Sequence, residues 1–161
     1  MLGLAATGDD DQPRSGDPDS TEFTFLRLVY SGNGWMDRSW EIDYPKADLQ
    51  FIYGLGKLTD FGFVNPQQKA LPIMDPNLFR YPFVYAVEVG NMRLSDREAQ
   101  QLREYLLRGG FLVVDDFHGE YEWQSFYTQI KKVFPEYEPF DLPLSHPIFH
   151  CYYNIRELIQ V

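Results

Sequence analysis

A predicted helix between two predicted strands, spanning residues 81–115, is the feature that most constrains the fold. The run YPFVYAVEVG is rich in β-branched and aromatic residues, which is typical of a strand. The following LSDREAQQLREYLLRGG places Ser95 and Glu98 at capping-box spacing and closes with a glycine pair, so it predicts a helix. FLVVD then resumes as a nearly continuous apolar strand. This order predicts a right-handed βαβ unit in a parallel sheet, with Asp115 at the carboxyl end of a central strand.

Further regular elements on both sides of this unit extend it into a larger α/β sheet. Residues 23–30 predict a first strand, and residues 71–74 predict a short strand that Pro72 interrupts. A helix is predicted to begin at Pro45, because apolar residues follow at helical spacing: Ala47, Phe51, Leu55 and Leu58. A last amphipathic helix ends at Pro135 and carries Trp123, Phe126, Ile130 and Val133.

Length and charge limit the domain organisation and the classes of partner. The 161 residues fit a single α/β domain over residues 22–161, preceded by a disordered acidic leader over residues 1–21. The 14 Lys and Arg against 24 Asp and Glu give a formal charge of −10, which repels phosphate backbones and anionic lipid headgroups. We therefore expect no nucleic-acid partner. No apolar run is long enough to span a bilayer, so no direct membrane insertion is expected either.

The single cysteine, Cys151, excludes an intramolecular disulfide and any multi-cysteine zinc or iron–sulfur site. No glycine turn surrounds it, so we expect a buried, small apolar side chain rather than a nucleophile. No glycine-rich phosphate loop follows a predicted strand. The sequence therefore predicts no cofactor.

Several ordered motifs over residues 23–161 resemble a known family. They are FTFLRLVY, W-x-x-DYP-x-AD (Trp40, Asp43, Tyr44, Pro45, Ala47 and Asp48), LFRYPFVY, L-S-x-x-E, LR-x-YLLRGGFLVVDDFHG and HPIF. Together they resemble the domain-of-unknown-function 4159 family, whose members resemble class I glutamine amidotransferase-like proteins. The resemblance implies a flavodoxin-like open parallel sheet with helices on both faces.

The resemblance also carries expectations about the chain's end and its location. Members of the family continue beyond the point where this chain stops, which implies that Val161 is a truncation. Some relatives occur beside cell-envelope modules, which implies a bacterial periplasmic or cell-envelope location. A truncated domain would expose apolar surface, and a homo-oligomer is then expected.

Polar residues follow both strands of the βαβ unit, at the edge where open parallel sheets bind ligands. Glu88 and Asn91 follow the first strand and are expected to bind a ligand. Asp115, Asp116 and His118 follow the second and are the catalytic candidates, as a general acid/base pair or as ligands of a divalent cation. In the structural alternative, Asp115 bonds loop amides, Asp116 starts the turn and His118 lies on the surface.

The C-terminal segment adds a third ligand-binding candidate, His146. His146 and His150 are four residues apart, but Pro147 disfavours the helix that would bring both to one metal ion, so no metal site is predicted. His146 is expected to cap a turn or to close the cleft.

The nucleophile of an amidotransferase is missing, because the turn after Val89 reads GNMRLS and contains no cysteine. We therefore expect a module that binds an unidentified small molecule or protein without catalysis. One alternative is a metal-dependent or acid/base hydrolase that uses Asp115, Asp116 and His118, acting on carbohydrate. The other is a structural component of a cell-envelope assembly.

Overall fold

The computed structural model describes residues 23–32, 38–60 and 64–157. Its strands are β1 (Leu26–Val29), β2 (Lys69–Pro72), β3 (Phe83–Val87) and β4 (Phe111–Asp115). They form one open, all-parallel sheet in the order β2-β1-β3-β4. Its α-helices are α1 (Lys46–Leu58), α2 (Asp96–Leu107) and α3 (Gly119–Val133). The predicted α/β class with a parallel sheet is confirmed, whereas the predicted leader lies outside the described residues.

The βαβ unit predicted over residues 81–115 forms β3, α2 and β4. α2 begins with the predicted capping box: Glu98 N donates to Ser95 Oγ at 3.3 Å, and Ser95 N donates to Glu98 Oε2 at 2.8 Å. Gly110 lets the chain turn closely beneath Tyr105, since a Cβ on Gly110 would lie 2.3 Å from that ring. Burial raises the pKa of the Tyr105 hydroxyl to about 12.

The helices cover the two faces of the sheet unequally. α2 and α3 pack on one face, and the core there includes Leu26, Leu28, Val84, Ala86, Leu102 and Phe126. Because side chains alternate along a strand, Arg27, Tyr85 and Phe111 point to the opposite face, where α1 packs. Phe111 remains 55% exposed, so α1 leaves the part of this face over β4 open.

A row of three aromatic rings, Phe51, Phe83 and Phe111, crosses the open face from α1 to β4. The ring centroids of Phe51 and Phe83 are 6.5 Å apart, and those of Phe83 and Phe111 are 6.1 Å apart. Both pairs are stacked, with interplanar angles of 19° and 24°. This aromatic row forms an apolar strip that ends at β4.

The limits of α1 agree with the predicted helix, but its predicted apolar stripe is not its buried face. The buried residues are Asp48 and Ile52, while Phe51 and Leu58 are exposed. The hydrophobic pattern was misleading because Asp48 turns toward Arg27 of β1 and binds it, which leaves Phe51 only half-buried against Phe25 and Phe83.

The prediction that β4 is a central strand was wrong for the described part of the chain. All five residues of β4 pair with β3, and β4 lies at the edge of the sheet. Its side chains are exposed or only partly buried. Four consecutive apolar residues identified a strand, but they could not show whether a further strand lies beside it.

α3 is fixed along its length to the turn that follows β3. Ser125 Oγ donates to the Gly90 carbonyl oxygen at 2.6 Å, and the Gln129 side-chain oxygen accepts from Leu94 N at 3.0 Å. The backbone of Gly90 lies so close to Glu122 that a Cβ on Gly90 would be 2.6 Å from the Glu122 Cβ. The turn and α3 therefore form one unit at the carboxyl ends of β3 and β4.

The segment after α3, residues 134–157, is mostly exposed and returns to α1, where Tyr152 donates a hydrogen bond to the Leu58 carbonyl oxygen. Cys151 lies in this segment with an exposed side chain, and its thiol contacts the Ile148 carbonyl oxygen at 3.2 Å. The expectation of a buried Cys151 was wrong, because its aromatic neighbours are themselves exposed. None of the helices formed by the described residues has the length and apolarity to cross a membrane.

Candidate functional site

Arg27, within β1, is a buried cation on the face that α1 covers. Its side chain is 1% exposed, and its Nε donates to Asp48 Oδ1 at 3.1 Å. Its Nη1 donates to the carbonyl oxygens of Trp40 at 3.3 Å and Ile42 at 3.2 Å. Because a buried guanidinium must be paired, this network holds residues 38–45 and the start of α1 against the sheet.

Two tyrosine rings complete the environment of Arg27. Its guanidinium carbon lies 5.9 Å from the ring centroid of Tyr44 and 5.0 Å from that of Tyr85. The motif W-x-x-DYP-x-AD therefore has a physical explanation: it supplies the Trp40 carbonyl, the Tyr44 ring and the Asp48 carboxylate that surround Arg27.

Three acidic residues near this network have a left-handed backbone. The φ angles are 58° at Asp43, 53° at Glu88 and 56° at Asp116. No other non-glycine residue in the described ranges has a positive φ. Such residues are uncommon, and each costs conformational energy that the surrounding packing must overcome. Acidic side chains are thus held where glycine would be free of strain.

Glu88 is the centre of a carboxylate cluster formed by Asp43, Glu88, Asp116 and Glu122. The pKa of Glu88 is raised, first by burial and then by the negative charges of Asp116 and Glu122. Asp43 adds to this rise, and only His118 opposes it. Three acidic groups and one histidine thus act on Glu88, so its surroundings within the described residues are predominantly negative.

Tyr30 joins the ends of β1 and β3 beneath this cluster. Its hydroxyl donates to the backbone carbonyl oxygen of Val87 at 2.7 Å. The same hydroxyl lies 2.9 Å from the backbone carbonyl oxygen of Glu88. Burial, followed by the charge of Glu88, raises the pKa of this hydroxyl. From β1 the chain crosses to β2 on one side, and from β3 it crosses to β4 on the other. The cluster thus lies where the direction of winding reverses, which is the usual ligand position in open α/β sheets.

The residues directly after β4 bond to one another and to β3. The Tyr85 hydroxyl donates to Asp115 Oδ2 at 2.9 Å, and the Asp116 N–H donates to Asp115 Oδ1 at 2.8 Å. Burial and this bond to Asp115 raise the pKa of Tyr85. The His118 ring places Nε2 2.8 Å from Asp116 Oδ1, and the ring is 78% exposed. The His118 N–H donates to Glu122 Oε2 at 2.6 Å.

The structure brings most of the predicted site residues to one edge of the sheet. Glu88, Asp115, Asp116 and His118 lie at the carboxyl ends of β3 and β4, as the strand-end rule indicated. Asn91 lies in the same turn as Glu88, and its N–H donates to the Glu88 carbonyl oxygen at 3.0 Å.

His146 does not join this group. Its Nδ1 accepts a hydrogen bond from Ile148 N at 3.3 Å, and its segment packs near the carboxyl end of α1. Across the ranges 23–32, 38–60 and 64–157, no three His, Cys, Asp or Glu side chains are grouped so as to hold a metal ion.

Several residues of the site were missed by the sequence-based reasoning. Asp43 and Glu122 belong to the carboxylate cluster, and Arg27, Tyr30 and Tyr85 support it from below. One available signal was Arg27 itself, a charged residue inside the apolar run FTFLRLVY, which requires a buried partner. The position of Asp43 depends on that partner network and has no local signature.

Comparison with known proteins gives a family and no activity. The model of the family described as "Domain of unknown function (DUF4159)" matches residues 24–161. No curated protein matches the chain.

Proposed function

Since this chain belongs to the DUF4159 family, whose description assigns no activity, we propose from the site alone that it is a binding module for a cationic group. The ligand is a small molecule or a partner protein that presents an amine or a guanidinium. It binds at the carboxyl edge of the sheet, against the carboxylate cluster of Asp43, Glu88, Asp116 and Glu122.

The position of Glu88 carries this proposal: it directly follows β3, beside the acidic residues at the carboxyl end of β4. Its carboxylate is partly buried among three other acidic side chains, so its charged form is disfavoured. A bound cation relieves the same repulsion and forms charge-assisted hydrogen bonds with the carboxylate oxygens. The left-handed backbone at three of the four acids supports a functional role, because the chain retains strained positions there.

The position of the cluster supports the proposal further, since it lies at the reversal point between β1 and β3. We also propose the finer assignment to the flavodoxin-like fold, which the order β2-β1-β3-β4 supports. The relation to the amidotransferase-like superfamily remains part of this proposal. Thiol chemistry does not, because Cys151 lies in the exposed segment after α3 and not in the turn that follows β3.

Backbone-amide NMR titration of the full chain tests the proposal with a matched pair of probes, N-acetylarginine amide and the neutral N-acetylcitrulline amide. We expect the arginine derivative to shift the amides of Glu88, Asp116 and His118. Glu88→Gln and Asp116→Asn should each weaken its binding about threefold, the effect of one exposed charge pair. Glu104→Gln, on the exposed face of α2, is the control and should leave binding unchanged.

The affinity for the arginine derivative should also depend on pH, in a direction that the pKa of Glu88 determines. Binding of the arginine derivative should strengthen as the pH rises through the raised pKa of Glu88, because the carboxylate then becomes charged. If the citrulline derivative shifts the same amides equally, or if Glu88→Gln has no effect, the cation-binding proposal is wrong.

The second candidate is an acid/base hydrolase, favoured by the 2.8 Å contact between His118 Nε2 and Asp116 Oδ1. A carboxylate in this position orients the imidazole and leaves its other nitrogen for proton transfer. Glu88, which keeps its proton to higher pH than an ordinary glutamate, is the complementary acid.

A panel of 4-nitrophenyl glycosides tests the hydrolase candidate directly. We expect that any turnover is lost in His118→Ala and retained in His146→Ala, because His146 lies outside the cluster. If the unmodified chain hydrolyses none of these glycosides, glycoside hydrolysis is excluded. The binding proposal is unaffected by that result.

A further inference from the structure

The two edges of the described sheet differ in a way that indicates different surroundings. β2, at one edge, has the sequence KALP, and its lysine and proline are residues that protect a free edge from pairing. β4, at the other edge, has the sequence FLVVD and contains neither. Only β2 therefore has the composition of a strand that stays at an edge.

Among the described residues, none forms a backbone hydrogen bond with the outer edge of β4. Phe111 N donates to the Pro82 carbonyl oxygen at 2.8 Å, and Glu88 N donates to the Asp115 carbonyl oxygen at 3.1 Å. Bonding residues alternate in a parallel ladder, so Phe111, Val113 and Asp115 bond to β3. The N–H and C=O groups of Leu112 and Val114 consequently point away from β3, toward the outer edge.

Opposite charges lie at the two ends of β4. At its amino end, a cleft of about 280 Å³ is lined by residues that include Arg80 and Arg108. The Arg108 side chain is 65% exposed, and its partner Glu104 uses only part of the guanidinium's hydrogen-bonding capacity. At the carboxyl end lie Asp115 and Asp116. The edge is therefore basic at one end and acidic at the other.

We propose that the outer edge of β4 pairs with β4 of a second copy of this chain, antiparallel and about a two-fold axis. When two such edges pair antiparallel, the basic end of each strand lies beside the acidic end of the other. A two-fold axis relates two copies in this way. The proposal does not depend on the cationic ligand.

One register uses the whole strand and leaves no outward backbone group of β4 unpaired. With Val113 on the axis, Leu112 lies opposite Val114 of the partner subunit, and the outward groups of both residues bond across the axis. Asp116 then lies opposite Gly110 of the partner subunit. Arg108 of the partner subunit lies two residues before that glycine, so this register brings it to the same end of the interface as Asp116 and His118.

The high net charge of the chain does not prevent this contact at physiological salt. Each copy carries a formal charge of −10, but the screening length at 0.15 M salt is about 8 Å. Cross-strand neighbours lie about 5 Å apart, so their attraction is screened much less than the repulsion between distant surface charges.

Sedimentation velocity of the full chain in 0.15 M NaCl, over a concentration series, tests the pairing. We expect a monomer–dimer equilibrium that Val113→Lys abolishes, because two lysines would meet on the axis, and that Val113→Thr leaves intact. Arg108→Glu should weaken the dimer about tenfold, since a repulsive pair then forms twice by symmetry. Arg97→Glu makes the same charge change on α2, away from this edge, and should have no effect.

Amide hydrogen exchange provides a readout that a different dimer interface would not give. The amides of Leu112 and Val114 should gain protection as the protein concentration rises, whereas those of Val113 and Asp115, already bonded to β3, should change little. The proposal is overturned if the chain stays monomeric at all concentrations, which includes the case of an edge that pairs only with another protein. A dimer that persists in Val113→Lys, or that leaves Leu112 and Val114 unprotected, also overturns it.

Discussion

Arg27 and Asp48 form a buried ion pair that joins β1 to α1. Both are buried, one in β1 and one in α1, and they are 21 residues apart in the sequence. Nothing local identifies them as partners, because a charged residue in a strand or a helix is ordinarily exposed. The sequence could therefore reveal that Arg27 needed a partner, but not that Asp48 supplies it.

Asp48→Asn tests this pair, since it keeps the size of the side chain and removes its charge. We expect a loss of about 3 kcal/mol in the free energy of unfolding, because the buried guanidinium is left without a counter-charge. Urea denaturation measures the loss. Glu136→Gln, which breaks the exposed pair with Arg103, is the control and should leave stability nearly unchanged. An equally small effect of both substitutions would contradict the structural role of Arg27.

Glu88 should make stability depend on pH in a direction opposite to that of an ordinary salt-bridged acid. Its folded-state pKa is raised, so its contribution is full below the ordinary value of 4.5 and is lost as the pH rises through the folded-state pKa. Glu88→Gln removes this titration. The variant should therefore gain stability relative to the unmodified chain as the pH increases from 4.5, as urea denaturation at several pH values would show. A difference that stays constant with pH would show that Glu88 is not repelled by its acidic neighbours.

The limits of the strands and helices could be predicted from the sequence where local motifs determine them. The capping box at Ser95 and Glu98 fixed the start of α2, and the glycines fixed its end. The position of β4 in the sheet could not be predicted in this way, because an apolar strand does not identify its neighbours. The candidate site shows the same division: the strand-end rule found Glu88 and Asp116, whereas Asp43 depends on long-range packing.

The close contact between α3 and the turn after β3 gives a test at the level of elements. Gly90→Ala should destabilise the domain by about 1–3 kcal/mol, because the new Cβ would meet the Glu122 side chain and push α3 outward. Gly56→Ala, in α1, meets nothing within 4 Å and should instead stabilise by about 0.5–1 kcal/mol. Thermal unfolding of both variants distinguishes the effects. Two changes of the same sign would contradict the described packing of α3.

Considered as a whole, the domain has one well-covered sheet face and one that α1 covers only in part. The core lies between the sheet, α2 and α3, while the aromatic row and the edge of β4 remain accessible on the other side. The apolar surface that remains accessible therefore lies on the side of the molecule that contributes least to its core.

Removal of residues 1–21 should leave the melting temperature within about 2 °C, a shift smaller than a loss of ~1 kcal/mol would produce. The reason is compositional: five aspartates and no aromatic residue offer little apolar surface to bury. Differential scanning calorimetry of the shortened and full chains makes the comparison. A decrease several times larger would show that this segment contributes to the folded domain.

If the carboxylate cluster binds the proposed cation, the left-handed backbone at Asp43, Glu88 and Asp116 places stability and binding in opposition. Glycine at Asp43, Glu88 or Asp116 would relieve about 1 kcal/mol of backbone strain at each position and would delete one carboxylate of the cluster. A mutant library selected only for survival of heating should therefore accumulate glycine at these positions, and its most heat-resistant members should be the poorest binders. Selection for thermal stability alone would therefore remove, substitution by substitution, the carboxylates on which the proposed binding of a cation depends.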